Sequence, residues 1–147
     1  MKKEIIEFTR LGMAIRYNAS EWIPGEKFTT MKTAKGDSRV SRFVITKDVT
    51  KVFFLITHNG FGKRVLIKEL KNEKMGGIGH KVTKITMKTG LITTTTLDKK
   101  IFKITIAGQS GERVVKIESK LIPIIGLRSQ GVKLIMLLPG ERVVRVN

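Results

Sequence analysis

The sequence is poor in the residues that build covalent or metal-held frameworks. Its 147 residues include no cysteine, three prolines, one tryptophan and one tyrosine. Without cysteine, disulfides and cysteine-ligated zinc sites are excluded, and the chain suits a reducing cytoplasm. No apolar run approaches the roughly 18 residues of a membrane-spanning helix. The polar start MKKEIIEFTR lacks the apolar region of a signal peptide. We therefore expect a cytoplasmic protein.

Residue patterns that point to catalysis are also scarce. The two histidines, His58 and His80, have no partner at metal-ligand spacing. The stretch GQSG at 108–111 lacks the G-x-S-x-G spacing of a nucleophile elbow. The glycine-rich stretch 76–81 lacks the spacing and the Ser or Thr of a P-loop. The sequence therefore predicts a protein that is not an enzyme and that needs neither a metal nor a cofactor.

Positive charge is the most pronounced compositional feature. Lysine and arginine total 29 against 12 acidic residues, a net charge of +17. Such an excess indicates a polyanionic partner, with nucleic acid first and an anionic membrane surface second. The basic residues alternate with apolar ones at strand spacing, which disfavours a membrane-bound amphipathic helix. Because aromatic platforms for stacking bases are few, duplex DNA is favoured over single strands.

A phrase of sequence recurs at a fixed interval. Residues 54–64 read FLITHNGFGKR, and related stretches place threonine at positions 9, 57 and 105 and glycine at 12, 60 and 108. The step is 48 residues in each case, which is typical of a repeat architecture. We expect a single domain, 1–147, containing three repeats at approximately 4–50, 51–98 and 99–147.

Each repeat shows alternating apolar and polar residues broken by glycine turns, which predicts about four short strands. No useful helical period is present. An extra residue near Gly111 predicts a bulge in the third hairpin. The fold class is therefore all-β, with three four-stranded, propeller-like blades. The predicted strands are 5–9, 13–17, 27–33, 40–46, 51–57, 63–67, 80–88, 91–97, 101–105, 113–117, 132–138 and 141–146.

Basic residues recur at the hairpin turns and strand edges of successive repeats. In a radial arrangement, equivalent positions fall on one rim, which would form a positive track that binds phosphates without reading bases. The plainer alternative, that individual lysines are only solvated surface, stays open. The candidate DNA-binding residues are Arg10, Arg16, Lys63, Arg64, Lys68, Lys71, Lys74, Lys81, Lys84, Lys88, Arg113, Arg128 and Lys133.

Four stretches stand in register: LITHNGFGKR at 55–64, the glycine cluster 75–79, RSQGVKL at 128–134 and LLPGERVV at 137–144. They resemble the C-terminal domain of the DNA gyrase A subunit and that of its topoisomerase IV counterpart. The resemblance covers nearly the whole chain. It implies a β-pinwheel, a disc whose blades exchange strands, and a function in bending or wrapping duplex DNA around a basic perimeter.

The chain departs from that family in two respects. The family's gyrase-A box reads Q-R-R-G-G-K-G, whereas residues 73–79 read EKMGGIG, a degenerate loop that keeps Lys74, Gly76, Gly77 and Gly79. The family domain also commonly has about twice as many blades. We therefore expect DNA bending more than chiral wrapping, at the nucleoid. The arc would stay open or be completed by a second copy. The alternative is an interaction module that docks on an acidic partner such as a topoisomerase or polymerase subunit.

Overall fold

The computed structural model describes residues 2–27, 29–46 and 52–147. Within them, the chain forms eleven β-strands and three single-turn 3₁₀ helices (Ala19–Glu21, Ile67–Glu69 and Ser119–Leu121). None of these helices is long and apolar enough to cross a membrane. The strands are β1 (Lys3–Thr9), β2 (Met13–Asn18), β3 (Arg39–Thr46), β4 (Val52–Thr57), β5 (Phe61–Leu66), β6 (His80–Lys81), β7 (Ile92–Leu97), β8 (Ile101–Gly108), β9 (Gly111–Glu118), β10 (Val132–Lys133) and β11 (Arg142–Val146).

The strands form three open antiparallel sheets. The first has the order β3-β1-β2-β6, the second β10-β5-β4-β7 and the third β11-β8-β9. The predicted all-β, blade-like class is confirmed, although the third sheet has three strands instead of four. The two-residue strand β6 follows the β4–β5 hairpin in the chain but joins the first sheet, and β10 likewise joins the second. Neighbouring sheets are therefore linked by strand exchange.

The first two hairpins are built alike. Thr9 and Thr57 each accept a hydrogen bond through the side-chain hydroxyl from a backbone N–H four residues later, at 3.2 Å. Gly12 and Gly60 close these turns at φ values of +89° and +85°. A residue with a Cβ is strained in this left-handed region, so glycine is required at both positions. These two hairpins repeat with the step of 48.

The third hairpin differs, and the bulge predicted near Gly111 is wrong. β8 and β9 pair without interruption up to Gly108 opposite Gly111. The irregularity lies on the other side of β8, where Thr105 and Ile106 face Arg145 and Val143. In the first two sheets the corresponding irregularity falls at Phe8/Thr9 and Ile56/Thr57. Ile106, not Thr105, therefore takes the place of Thr9 and Thr57.

Three predicted strands are shorter than expected or missing. The strands predicted at 80–88 and 132–138 shrink to His80–Lys81 and Val132–Lys133, because each exchanged segment pairs with its neighbour over two residues only. The segment predicted at 27–33 forms no strand in its described residues. It follows the first hairpin, and it pairs with none of the three sheets formed by the described residues. The predicted repeat boundary at 50/51 lies outside the described residues.

Two apolar cores lie between the sheets. Ile6 and Phe8 pack with Phe53 and Leu55 between the first and second sheets. Between the second and third, Phe54 stacks on Phe102, with ring centroids 4.4 Å apart. All six residues of β4 are buried, because its two faces serve different cores. Full burial of one such side chain contributes about 2 kcal/mol, which explains the unbroken run VFFLIT.

The outer face of the first sheet is sealed by the segment that follows β2. Ile5, Ile15, Tyr17 and Met31 form a small apolar cluster there. Beside it, the buried carboxylate of Glu7 accepts hydrogen bonds from the Tyr17 hydroxyl and from side chains of neighbouring segments. Those further donors are Thr30 Oγ1, Arg39 Nη1 and Arg42 Nη2.

This carboxylate network shifts the ionisation of both central groups. Burial would raise the pKa of Glu7, but the hydrogen bonds from Tyr17, Thr30 and Arg39 and the charge of Arg42 hold it below its usual value. Burial and the adjacent Glu7 carboxylate raise the pKa of Tyr17 to about 12. Glu7 therefore stays ionised and Tyr17 neutral at physiological pH.

Candidate nucleic-acid interface

The basic residues singled out by the sequence separate into three classes by exposure. Lys63 is fully buried, and Arg16 and Arg64 are half-buried. The others lie exposed on the surface: Arg10, Lys68, Lys71, Lys74, Lys81, Lys84, Lys88, Arg113, Arg128 and Lys133. The first two classes stabilise the fold, and only the third is placed to meet a polyanion.

Lys63 holds a loop from inside. Its Nζ donates to the carbonyl oxygens of Gly126, Leu127 and Ser129 at 2.7, 3.0 and 2.8 Å. Burial lowers the pKa of Lys63 to about 8, and the charge of Glu69 opposes that shift. Because all three protons of the ammonium are engaged, the structure does not place Lys63 at the surface for which the sequence suggested it.

Arg16 and Arg64 perform one task at successive junctions between sheets. Arg16 forms a bidentate pair with the buried Glu4 at 2.8 and 2.9 Å and donates to the Leu70 carbonyl at 2.9 Å. Arg64 donates to the Ile122 carbonyl at 2.9 Å and to the Ser119 hydroxyl at 3.2 Å. Each guanidinium ties the second strand of its hairpin to the 3₁₀ helix region that follows the next hairpin.

The backbone around the recurring phrase makes the same junctions. Gly12 O and Gly60 O accept the N–H groups of Val82 and Leu134, each at 2.8 Å. A Cβ on Gly60 would lie 3.0 Å from a carbonyl oxygen of the neighbouring segment, so the approach is close. The stretch FLITHNGFGKR therefore lies at the junction between sheets, and its two basic residues stabilise that junction.

Arg113 is exposed but is committed to a partner within the third sheet. It forms a bidentate pair with Glu141, both distances being 2.9 Å, and it donates to the Met136 carbonyl at 3.0 Å. The hydrogen bond from Arg113, aided by the Leu138 N–H, lowers the pKa of Glu141 to about 2. This pair ties β9 to the turn before β11, so Arg113 contributes little net positive charge.

Four of the predicted residues meet at one groove. Lys71, Lys81, Lys84 and Arg128 line a cavity of about 630 Å³, together with Glu69, His80 and Leu127. One carboxylate therefore faces four cations there. Glu69 and His80 were not predicted for this site, because nothing in their sequence neighbourhood indicates that 69–71, 80–84 and 127–128 converge.

The wall of this groove is positioned by the buried lysine. Arg128 lies in the loop whose carbonyls at 126, 127 and 129 accept from Lys63. The same loop accepts from Thr83 Oγ1 at 3.1 Å, through Ser129 O. Lys63 thus orders the loop that presents Arg128 beside Lys84, while remaining out of the groove itself.

The degenerate glycine loop docks on the first sheet's connecting segment. Gly76 N–H donates to Thr30 O, and Gly77 O accepts from Lys32 N–H, both at 2.8 Å. At the end of the loop, Gly79 has φ +77°, and a Cβ there would lie 2.2 Å from Ala14 O. Close packing between sheets therefore explains Gly79, and a positive φ of +95° explains Gly76. Lys74 is left exposed at the loop's surface.

A second cavity of about 1000 Å³ carries lysines that the sequence analysis missed. Lys99, Lys100 and Lys120 line it with Arg64, but Asp98 and Glu118 lie among them. Lys120 pairs with Glu118 at 3.3 Å. The adjacent pair Lys99–Lys100 was a visible signal. The carboxylates make this cavity less positive than the groove.

Comparison with known proteins agrees with this architecture. The family model described as "DNA gyrase C-terminal domain, beta-propeller" matches residues 51–84 and 110–147. The DNA gyrase A protein of Chlamydia trachomatis serovar D is 28% identical over 156 residues, covering 99% of this chain and 18% of that protein. The DNA gyrase A protein of Staphylococcus epidermidis is 30% identical over 112 residues, covering 74% of this chain and 12% of its own length. The chain thus spans less than a fifth of the length of these relatives.

Solved structures show the same fold. The structure of a DNA gyrase A C-terminal domain matches with a TM-score of 0.84 at 17% identity, covering 99% of this chain and 50% of that one. The C-terminal domain of DNA topoisomerase IV matches with a TM-score of 0.84 at 18% identity, covering 98% of this chain and 46% of that one. With the family model and the sequence relatives, these matches confirm the resemblance: the chain is a three-sheet β-pinwheel of the DNA gyrase A C-terminal domain family.

Proposed function

We propose that the protein is a non-enzymatic module that binds duplex DNA through the groove formed by Lys71, Lys81, Lys84 and Arg128. The observation that carries the proposal is the convergence of these four exposed cations, from three separate segments, on one cavity. Cations placed in this way neutralise phosphates and release condensed counterions, whatever the base sequence. DNA gyrase relatives support the same partner.

DNA would leave the groove along the surface that carries the remaining exposed basic residues. A path longer than the groove requires the duplex to bend over the pinwheel, which costs a few kcal/mol and is repaid by additional phosphate contacts. We do not propose chiral wrapping, because residues 73–79 have lost two of the three basic residues of the gyrase-A box. Action at the nucleoid, beside a topoisomerase, follows from the same proposal.

A salt series tests the contact. The affinity for a fluorescent duplex of about 40 base pairs should fall with a log–log slope of about −3 or steeper, because each phosphate contact contributes about −0.9. The triple variant Lys81→Gln, Lys84→Gln, Arg128→Gln should bind at least about tenfold more weakly and flatten the slope by roughly 2.7. The matched control, Lys99→Gln, Lys100→Gln, Lys120→Gln, removes equal charge at the second cavity and should retain most of the affinity.

Each outcome of the series has a defined meaning. Equal losses in the two triple variants would show that total charge binds DNA and that the groove is not the contact. A slope near zero would overturn DNA binding and leave the alternative, docking on an acidic protein. Relaxation of bound plasmid by an added topoisomerase then separates bending from wrapping, since wrapping changes the linking number. We expect binding without such a change.

A further inference from the structure

The third sheet ends in a strand edge that is covered in the other two sheets. In the first two sheets, the second strand of the hairpin is covered by the exchanged strand β6 or β10. In the third sheet, β9 is the terminal strand, eight residues long, with no partner beyond it among the described residues. Unpaired edges of this length are templates for pairing with another chain.

Hydrogen bonds of the surrounding backbone identify which groups of β9 face outward. Lys103 and Asn147 exchange backbone bonds at 2.9 and 2.8 Å, so Lys103 turns its backbone toward β11 and away from β9. Antiparallel pairs alternate between bonded and non-bonded types. The partner of Lys103 is Lys116, and residues 112, 114 and 116 therefore point their N–H and C=O groups away from β8.

The same positions are engaged in the second sheet. Gly60 O accepts from Leu134 N–H, and Arg64 both donates to Pro123 O and accepts from Ile125 N–H, at 2.8 to 2.9 Å. Glu112 and Lys116 stand where Gly60 and Arg64 stand. The free edge of the third sheet is thus equivalent to the edges through which the first and second sheets bind their exchanged strands.

The side chain at the centre of this edge disfavours another exchanged strand as its occupant. The first two sheets carry Ala14 and Gly62 at this position, and a Cβ on Gly62 would lie 2.7 Å from Leu134 Cδ1. The third sheet carries Val114, which is 57% exposed. Val114 is larger than either residue, so it fits the close crossing of β6 and β10 less well.

We propose that β9 pairs antiparallel with β9 of a second copy of this chain, about a two-fold axis through Val114. In this register, Glu112 of each copy, which already pairs with its own Arg145 at 2.9 Å, lies opposite Lys116 of the other. Lys116 thus adds a second cation beside each Glu112 carboxylate, and no like charges oppose each other. Sliding the strands by two residues toward the carboxyl end would oppose Glu112 to Glu118, a pair of like charges. Charge therefore selects the register centred on Val114.

The symmetry of this pairing favours a closed pair over a growing chain of copies. Two-fold pairing joins identical edges and stops at two. At the other end of the molecule, the Glu7–Tyr17 network and the apolar cluster beside it cover the outer face of the first sheet. This inference does not depend on DNA binding, because β9 lies outside the groove's lining residues.

Oxidative cross-linking tests the pairing, and the cysteine-free sequence makes the experiment clean. Val114→Cys should form a disulfide-linked dimer under mild oxidation, since bonded antiparallel partners have Cα atoms about 5.5 Å apart, within disulfide range. The control Glu118→Cys lies four residues from the axis and should form no disulfide-linked dimer under the same oxidation. A mixture of Lys27→Cys and Val114→Cys tests the alternative in which the first sheet's connecting segment occupies the edge.

Sedimentation equilibrium with charge variants tests the register. Glu112→Lys should weaken dimerisation by about tenfold or more, because like charges then face each other, and adding Lys116→Glu should restore it. Glu118→Lys makes the same charge change outside the pairs and should leave dimerisation unchanged.

Two results would overturn the proposal. One is a monomer at all concentrations, with no disulfide formed by the Val114→Cys variant. The other is preferential cross-linking of the Lys27→Cys variant to the Val114→Cys variant in the mixture. The groove triple variant should dimerise like the unmodified protein whether or not DNA binding survives, so failure of the dimer and failure of DNA binding are distinguishable.

Discussion

In each of the three sheets, the second strand of the hairpin has an outer edge. An exchanged strand covers this edge in the first and second sheets but not in the third. Gly12, Ala14 and Arg16 join the first sheet to the segments that follow the second hairpin. Gly60, Gly62 and Arg64 repeat that junction between the second and third sheets. The third sheet offers Glu112, Val114 and Lys116 at the equivalent places, and no strand of the described part of the chain covers them.

The comparison shows what a junction of this fold requires. A small residue in the middle lets the exchanged strand cross, and a glycine at the crossing point removes the Cβ that would collide. An arginine two residues further on can reach two carbonyls or a carboxylate at once, which a lysine's point charge does not reproduce. In the third sheet these residues are replaced, and no strand of the described residues covers the edge of β9.

Removal of Arg16 should give the largest difference in stability between a covered strand edge and an uncovered one. Arg16→Leu takes the bidentate cation away from the buried Glu4 carboxylate, which keeps the hydrogen bond from Asn72. Removing one partner of a buried ion pair costs about 3–5 kcal/mol of unfolding free energy. The urea midpoint of the variant should fall accordingly.

The matched change at the free edge is Lys116→Leu. Lys116 is exposed in the third sheet, and in the dilute monomer a surface substitution of this kind stays within about 0.5 kcal/mol. The two midpoints are therefore compared at a protein concentration at which the chain is monomeric. A comparable loss in both variants would contradict the distinction between the edges. An unchanged midpoint for Arg16→Leu would show that the ion pair does not hold the first junction.

Substitution of Gly79, which lies where the exchanged strand meets the first sheet, should give the next largest loss of stability. Gly79→Ala places a Cβ 2.2 Å from Ala14 O at a φ of +77°, so the exchanged strand must shift. We expect a loss of about 3 kcal/mol, part conformational and part steric. Gly25 has the same conformation, φ +80°, but nothing within 4 Å of its added Cβ. Gly25→Ala should cost only about 1 kcal/mol, and similar Tm values for the two variants would show that the crossing is not close.

The fold was predictable where local pattern determines it. The hairpins at Thr9 and Thr57 follow from apolar alternation and a glycine with positive φ, both visible in sequence. The third hairpin was predicted less well. Thr105 and Gly108 keep the step of 48 in the sequence, but Ile106, one residue after Thr105, occupies the structural position of Thr9 and Thr57. The strand predicted at 27–33 has the right alternation. A strand also needs an edge to pair with, which sequence alone does not provide.

The candidate site was only partly predictable, because lysine and arginine look alike in sequence whether they bind DNA or brace the fold. Lys81, Lys84 and Arg128 lie exposed at the surface, and their role in DNA binding stays a prediction. Lys63 and Arg64 recur with the same regularity, but that regularity reflects the junction they hold. Convergence of residues 71, 81 and 128 on one groove depends on strand exchange, whose register no local pattern encodes.

Lys63 provides the final and smallest test of the second junction, through pH. Its pKa is about 8 in the folded state against an ordinary value of 10.5. Between these values the unfolded chain holds a proton that the folded chain has released, so stability rises with pH. We expect a gain of about 2 kcal/mol from pH 8 to pH 10, measured by urea midpoints. Above pH 10 the raised pKa of Tyr17 acts in the opposite direction, because the folded state then retains the extra proton.

Lys63→Met should abolish the gain in stability, whereas Lys84→Met, at an exposed position in the groove, should preserve it. A flat profile in the unmodified protein would mean that burial does not lower the pKa of Lys63.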